Sequence, residues 1–329
     1  MVAQVIISVL EPTTYAELGR WRLVDGEEAE RVTPSRRDFL KGTLGGAGAL
    51  LLGTTVDTGT ARSAVNIGPV AGAAAPPVAG HTGIDHVDVV MMENRSFDHF
   101  LGWMPNAKGI GIDPDGNPTG DGSLYNSFRY DDINGNSHSI WNTTQLNGCG
   151  QKDQDHGYTG GRIQWAKGAM NGFLKDPEET DYALSYYLAS ARPFSSNLAL
   201  NYTTCDRYYC GILTATWPNR FFQHCAQTDR LNDTTVADPD APDTSFLPAF
   251  PSNLPTIWDQ LNQLGGPTGR YYFSDLPFLA LWGTEYLPIS AQYPQFLADA
   301  AAGTLPNVSF VDPRFEDEGS GTSGDDHPL

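Results

Sequence analysis

Across 329 residues the chain sets 39 acidic against 20 basic side chains, a formal charge of −19 at pH 7. That field disfavours nucleic acid and anionic membrane as electrostatic partners and suits a protein that handles cations among carboxylates. A hydrophobic share of 40% fits a globular fold with a sizeable core, and 35 glycines with 23 prolines point to many loops rather than a helical bundle.

In chain order the first signal is Ser35-Arg36-Arg37-Asp38-Phe39-Leu40-Lys41, a twin-arginine export signature. The weakly apolar stretch after it, Gly42 to Val56, is far short of the ~20 apolar residues that cross a bilayer. A charged start, a short apolar core and a small-residue tail predict a cleaved leader over residues 1–64, with an extended N-terminus before the arginines. Processing is expected near Ala61–Ala64 or within Ala71–Ala75. Residues 65–83 are largely Ala/Gly/Pro-rich without hydrophobic period, which reads as a flexible tether. The expected partner here is the twin-arginine export machinery, and the destination is secretion or the cell envelope.

From residue 84 onward the pattern is that of a folded domain. Val87 to Met92 is nearly continuous apolar sequence, the mark of a strand buried on both faces of a parallel sheet. It ends in Glu93-Asn94-Arg95-Ser96-Phe97-Asp98-His99, and in open α/β sheets chemistry gathers beyond the carboxyl ends of strands. Residues 109–161 are rich in Gly, Asn, Asp and Ser, which predicts a long excursion over the site. Tyr182, Leu184, the run from Tyr186 to Leu188 and that from Leu198 to Leu200 suggest helical packing. A helix from Pro218 to Thr228 is expected with Phe221, Phe222 and Cys225 on its inner stripe. Another is expected from Pro255 to Leu264, where Ile257, Trp258, Leu261 and Leu264 recur at helical spacing before a capping Gly265. Arg270 to Phe273 and Val308 to Val311 read as short strands. Strands alternating with helices argue for an α/β sandwich around a largely parallel sheet. Cys149, Cys205, Cys210 and Cys225 lack the Cys-x-x-Cys spacing of a zinc site, so a structural role is expected, as buried thiols or disulfides in any of the pairings four cysteines allow.

Four clusters carry chemistry. Glu93-Asn94, directly after a buried strand, offers a carboxylate and an amide oxygen, hard ligands for a divalent ion. In Cys205-Asp206-Arg207-Tyr208-Tyr209-Cys210-Gly211-Ile212-Leu213-Thr214-Ala215-Thr216-Trp217-Pro218-Asn219-Arg220, Pro218 suits the first turn of a helix. Thr216 then lies at the helix N-terminus, either as a cap or where N–H groups and the dipole favour an anion. Asp153-Gln154-Asp155-His156, followed by Gln164-Trp165 and the segment Gly168 to Phe173, is the third cluster. Asp325-Asp326-His327-Pro328 is the fourth.

In order and over Ile84 to Leu329, these four strings resemble the bacterial phospholipase C/acid phosphatase phosphoesterase family. The resemblance implies a three-layer α/β/α sandwich like that of alkaline phosphatase. It implies a divalent metal ion held by Glu93, Asn94 and Thr216, with Thr216 as the attacking nucleophile. His156 and His327 become catalytic proton donors or phosphoryl contacts, and Asn94 and Asn219 substrate-binding residues. Ala215 stands where a Gly is common in the family. The implied activity is hydrolysis of a phosphatidylcholine-type phosphodiester, with a phosphomonoesterase on the same scaffold as the alternative. The family's later Asp-Glu-x-Gly-Gly segment, which supplies further metal-binding acids, has no counterpart before Leu329. The expectation is therefore a domain lacking the C-terminal part of its sheet: a fragment of a longer product, or an inactive truncated remnant.

Overall fold

The computed structural model describes residues 4–10 as main chain, together with 84–93, 95–145, 151–152, 154–176, 179–232, 251–265, 268–275, 277–315, 324 and 326–327. In chain order its elements are β1 (Gln4–Leu10), β2 (His86–Met92), α1 (Phe97–Leu101), α2 (Ser123–Ser127), β3 (Arg129–Asp131), β4 (Ser137–Ser139), β5 (Trp141–Asn142), α3 (Tyr158–Trp165), β6 (Ser185–Tyr186), α4 (Pro193–Asn201), α5 (Thr216–Cys225), α6 (Ile257–Leu264), β7 (Gly269–Phe273), β8 (Ser290–Gln292), α7 (Tyr293–Ala302) and β9 (Val308–Val311). The twin-arginine segment, Cys149 and Asn94 lie outside the described residues.

The main sheet has the order β1-β2-β9-β7-β8. Neighbours from β2 to β8 run parallel, as expected for an α/β sheet, whereas β1 lies antiparallel on β2 over the full length of both. The strand pleat sends alternate residues to opposite faces. On one face Met91, Tyr271 and Phe310 pack with Phe221 of α5, Trp258 of α6 and the aromatic turn Phe278–Trp282. On the other, Val90, Tyr272 and Val311 pack with Phe296 and Ala300 of α7. Helices thus cover both faces of a mixed, mainly parallel sheet.

Two helix faces differ from the sequence reading. Along α5 the buried side is Arg220, Phe221 and His224, with Phe222 and Cys225 only partly buried. A polar Arg and His take inner positions because partners wait there, and Phe222 lies against Gly211, where a Cβ would come within 2.5 Å of its ring. On α6 Trp258 is buried, but Ile257 and Leu264 are 43% and 71% exposed. Hydrophobic spacing marks which residues share a face, not how far a neighbouring layer extends. The ends of α6 do follow the sequence: Thr256 and Asp259 form a reciprocal capping box, and Gly265 takes the left-handed conformation at φ +63°.

The expected excursion is more structured than its composition suggests. Residues 109–161 include α2, the β3–β4 hairpin, β5 and the start of α3. With α1, β6 and α4 they enclose a second core of Phe100, Trp103, Ile112, Ile140, Leu174 and Tyr187. These apolar positions follow no period because their partners are distant in sequence. Of the positions read as helical packing, Leu198 to Leu200 lie in α4 and Tyr182 and Leu184 in a 3-10 turn, whereas Tyr186 belongs to β6. Cys205 is exposed, Cys210 and Cys225 are partly buried, and all three are free thiols.

Two buried histidines make stability respond to pH. His224 lies among Trp258, Phe278 and Phe310, where its Nδ1 accepts from the Trp258 indole at 3.3 Å. Burial, with Arg220 nearby, pulls its imidazole down to about 3; burial and Arg95 do the same to His99. A depressed histidine stabilises fully above its unfolded value and loses that contribution as pH falls through the window from 6.5 to about 3. Burial acts with the opposite sign on several carboxyls, raising Asp88 and Asp312, Asp98 to about 6 and Glu179 to about 7, so the slope of the whole protein partly cancels. The variant difference does not cancel. His224→Gln is expected to gain on the wild type by about 1.4 kcal/mol for each unit of pH lowered between 6 and 4. Urea unfolding of both proteins at pH 6, 5 and 4 measures it, and a constant difference would contradict a neutral buried His224.

Candidate active site

Parallel strands place their carboxyl ends at one edge, and two of them end in buried acids. Glu93 follows β2 and Asp312 follows its neighbour β9. The Arg220 guanidinium lies between them, ion-paired to Asp312 through Nη1 and 3.5 Å from Glu93 Oε2 through Nη2. The Tyr271 hydroxyl donates to the other Asp312 oxygen, and Phe315 covers the guanidinium at 4.4 Å. Burial alone would push Arg220 toward its neutral form, but Asp312 and Glu93 outweigh it and hold the pKa above its ordinary value. Burial raises the Asp312 carboxyl, with Arg220 and Tyr271 opposing.

Arg220 is one turn along α5 from Thr216, so the helix that delivers the cation to Glu93 also presents Thr216 at its first residue. The cap of α5 is Ala215, in extended conformation and without a side-chain cap bond. The Thr216 side chain therefore does not cap the helix. It is 7% exposed, and its Oγ1 is buried with no hydrogen-bond partner among the described residues. A buried hydroxyl left so is uncommon and costs on the order of 1–3 kcal/mol.

The chain leading into Thr216 is fastened from three sides. Asn219 donates to the carbonyls of Thr214 and Ala215 at 3.0 Å each and accepts from Ile212 N–H at 3.1 Å. Both of its N–H groups thus serve the turn before Thr216. Arg162 of α3 donates to the Leu213 carbonyl at 3.0 Å. Asn232 accepts from Thr214 Oγ1 at 2.8 Å and from Tyr158 N–H at 2.9 Å, which ties this turn to the loop carrying His156. His156 Nδ1 donates to the Gln154 carbonyl at 2.7 Å, so in the neutral ring Nε2 carries the lone pair. Its ring meets that of His327, 171 residues later, with centroids 5.1 Å apart.

The structure therefore joins Glu93 to the helix of Thr216 and His156 to His327, and it links the two pairs through the 211–215 turn. Sequence reading missed Asp312, although the signal was there: an acid directly after the apolar strand 308–311, as Glu93 follows β2. It also assigned no role to Arg220, whose place between the two acids follows from strand order.

As a metal site the described residues give a partial set. Among them no group of three or more His, Cys, Asp or Glu side chains is gathered for a metal ion. The Glu93 carboxylate and the unpartnered Thr216 hydroxyl are hard oxygens whose chemistry suits a divalent cation, but they cover a minority of the roughly six ligands one takes.

Residues 84–329 match the Phosphoesterase family. The chain belongs to the phosphoesterase family. Residues 33–53 match the signal sequence of the twin-arginine translocation pathway, in agreement with the arginine pair, and mark this phosphoesterase for export by that route. Curated relatives include non-specific phospholipase C1 of Arabidopsis thaliana, 29% identical over 264 residues that make up 74% of this chain and 46% of the relative. Phospholipase C A of Mycobacterium tuberculosis is 28% identical over 85% of this chain and 57% of its own. Non-hemolytic phospholipase C of Pseudomonas aeruginosa is 27% identical over 85% of this chain and 41% of its own. The chain spans about half the length of these relatives. No helix among the described residues is long and apolar enough to cross a membrane.

Proposed function

We propose that this phosphoesterase is a secreted, metal-dependent phospholipase C that cleaves phosphatidylcholine-type phosphodiesters with Thr216 as nucleophile, on an alkaline-phosphatase-like scaffold. The observation that carries the reading is the Thr216 hydroxyl: buried, without a hydrogen-bond partner among the described residues, and opening the helix that bears the Glu93-paired Arg220. A capping hydroxyl would accept from an N–H of the first turn, which Thr216 does not, so its hydroxyl is left available to attack. Family membership and relatives named phospholipase C support the substrate class.

In this reading the phosphoryl group sits against the first turn of α5, where main-chain N–H groups and the helix dipole favour its oxygens. Glu93, Asn94 and Thr216 would hold a divalent ion, whose chemistry is to favour the deprotonated hydroxyl and offset phosphate charge. Thr216 Oγ attacks phosphorus, the bond to the lipid alcohol breaks, and phosphocholine is left esterified to Thr216. His327 or His156 gives a proton to the departing alkoxide, and the same ring later takes one from the water that releases phosphocholine. Asn219 keeps the turn before Thr216 in place.

The test is hydrolysis of a chromogenic phosphocholine diester and of the matching phosphate monoester by the secreted protein, with and without chelator. Faster diester cleavage that chelator abolishes is the expected result. Preference for the monoester would make it a phosphomonoesterase, and activity indifferent to chelator would overturn the metal dependence.

A further inference from the structure

His327 belongs to a short segment whose backbone is held in an unfavourable state. Asp326, immediately before it, has φ +69°, a left-handed conformation that a non-glycine residue adopts at a cost. Two arginines converge on that residue. Arg95, buried at the turn between β2 and α1, donates Nε–H to the Asp326 carbonyl at 2.5 Å. Arg192, just before α4, reaches both Asp326 carboxylate oxygens through Nη2 at 3.2 Å.

Neither arginine is loose. Arg95 also donates to the Tyr182 hydroxyl at 2.7 Å and to His99 Nε2 at 3.1 Å. That acceptor role is fixed because His99 Nδ1 donates to the Ser185 carbonyl at 2.6 Å. Arg192 stacks its guanidinium 4.0 Å over the Phe100 ring. Both cations are therefore seated on the second core, and both point at the one residue that aims His327 toward His156. Strained backbone gripped by pre-set groups is how a fold stores a functional geometry.

We propose that Arg95 and Arg192 are positioning residues that clamp Asp326 in its left-handed conformation, so that the following His327 ring meets His156 and can serve the proton transfer. The catalytic half of this statement rests on the reading of the histidines above; the clamp itself does not.

Two readouts keep them apart. Hydrogen exchange of the peptide carrying residues 324–327 in the full protein reports the clamp directly. Arg192→Gln, at a site near the surface, is expected to speed exchange in that peptide about tenfold, as loss of a charge-assisted hydrogen bond does, with peptides of α5 and β2 unchanged. Arg192→Lys keeps the charge without the planar fork and should recover part of the protection. Asp326→Gly accepts the left-handed backbone but drops the carboxylate, so combining it with Arg192→Gln should add little to either alone. Wild-type exchange in Arg192→Gln would overturn the proposal. The second readout is kinetic: kcat should fall in Arg192→Gln with KM unmoved and return in part with Arg192→Lys. Faster exchange with unaltered kcat would leave the clamp standing and remove His327 from the chemistry.

Discussion

Thr216→Ala is expected to lower kcat on the phosphocholine diester by at least about a thousandfold, ~4 kcal/mol of transition-state stabilisation, while changing folding stability by little. The two halves have one cause. Because Thr216 Oγ1 makes no hydrogen bond among the described residues, its removal breaks none there, and a buried hydroxyl so placed contributes nothing favourable to the fold. The loss of the buried methyl group is the remaining term, about 1 kcal/mol. Steady-state kinetics and urea unfolding of the same preparation measure both, and mass spectrometry of quenched wild-type enzyme should find phosphocholine on the peptide containing Thr216. A variant retaining a third of wild-type activity would show that Thr216 is not the nucleophile.

The largest effect on stability is expected at Arg220. Arg220→Met leaves Glu93 and Asp312 facing each other in the interior without their shared cation, and breaking a buried pair in this way costs about 3–5 kcal/mol. The methionine fills most of the volume, so the loss reports charge rather than a cavity. Adding Asp312→Asn to Arg220→Met removes one of the two stranded charges and should restore part of the stability, a non-additivity that a double-mutant cycle reads directly. Urea unfolding near pH 7 is the measurement. A loss under about 1 kcal/mol would mean that water reaches the acids and the pair is worth no more than a surface bridge.

How much of this was readable beforehand differs by residue. Glu93 stands out from its own string, as a hard ligand directly after a buried strand; the string around Thr216 alone leaves it a helix cap or an anion site, and His156 and His327 owe their candidacy mainly to the family resemblance. The strands 86–92, 269–273 and 308–311 and the helices of Thr216 and Trp258 were visible as apolar runs, helical spacing and caps, since those signals depend on neighbours within a few residues. The second core was not. Trp103, Ile140 and Tyr187 keep no common period, and their contacts span tens of residues, so composition makes residues 109–161 look like a loop excursion and the run from Tyr186 to Leu188 look helical.

By itself, then, the sequence determined the export signal, the alternation of strands and helices, and the phosphoesterase family. Only the tertiary structure decided who meets whom. Placing β9 beside β2 sets Asp312 next to Glu93, and that juxtaposition lets Arg220, an inner helical position that hydrophobic spacing would assign to an apolar residue, be stable as a buried cation. Likewise the fold, not any local string, brings Arg95 and Arg192 onto Asp326 and His156 onto His327. The physical reason is the same in both places. A motif fixes a residue's chemistry through its own atoms, whereas burial of a charge or the strain of a left-handed aspartate is tolerable only if distant groups compensate it, and those are supplied by chain topology.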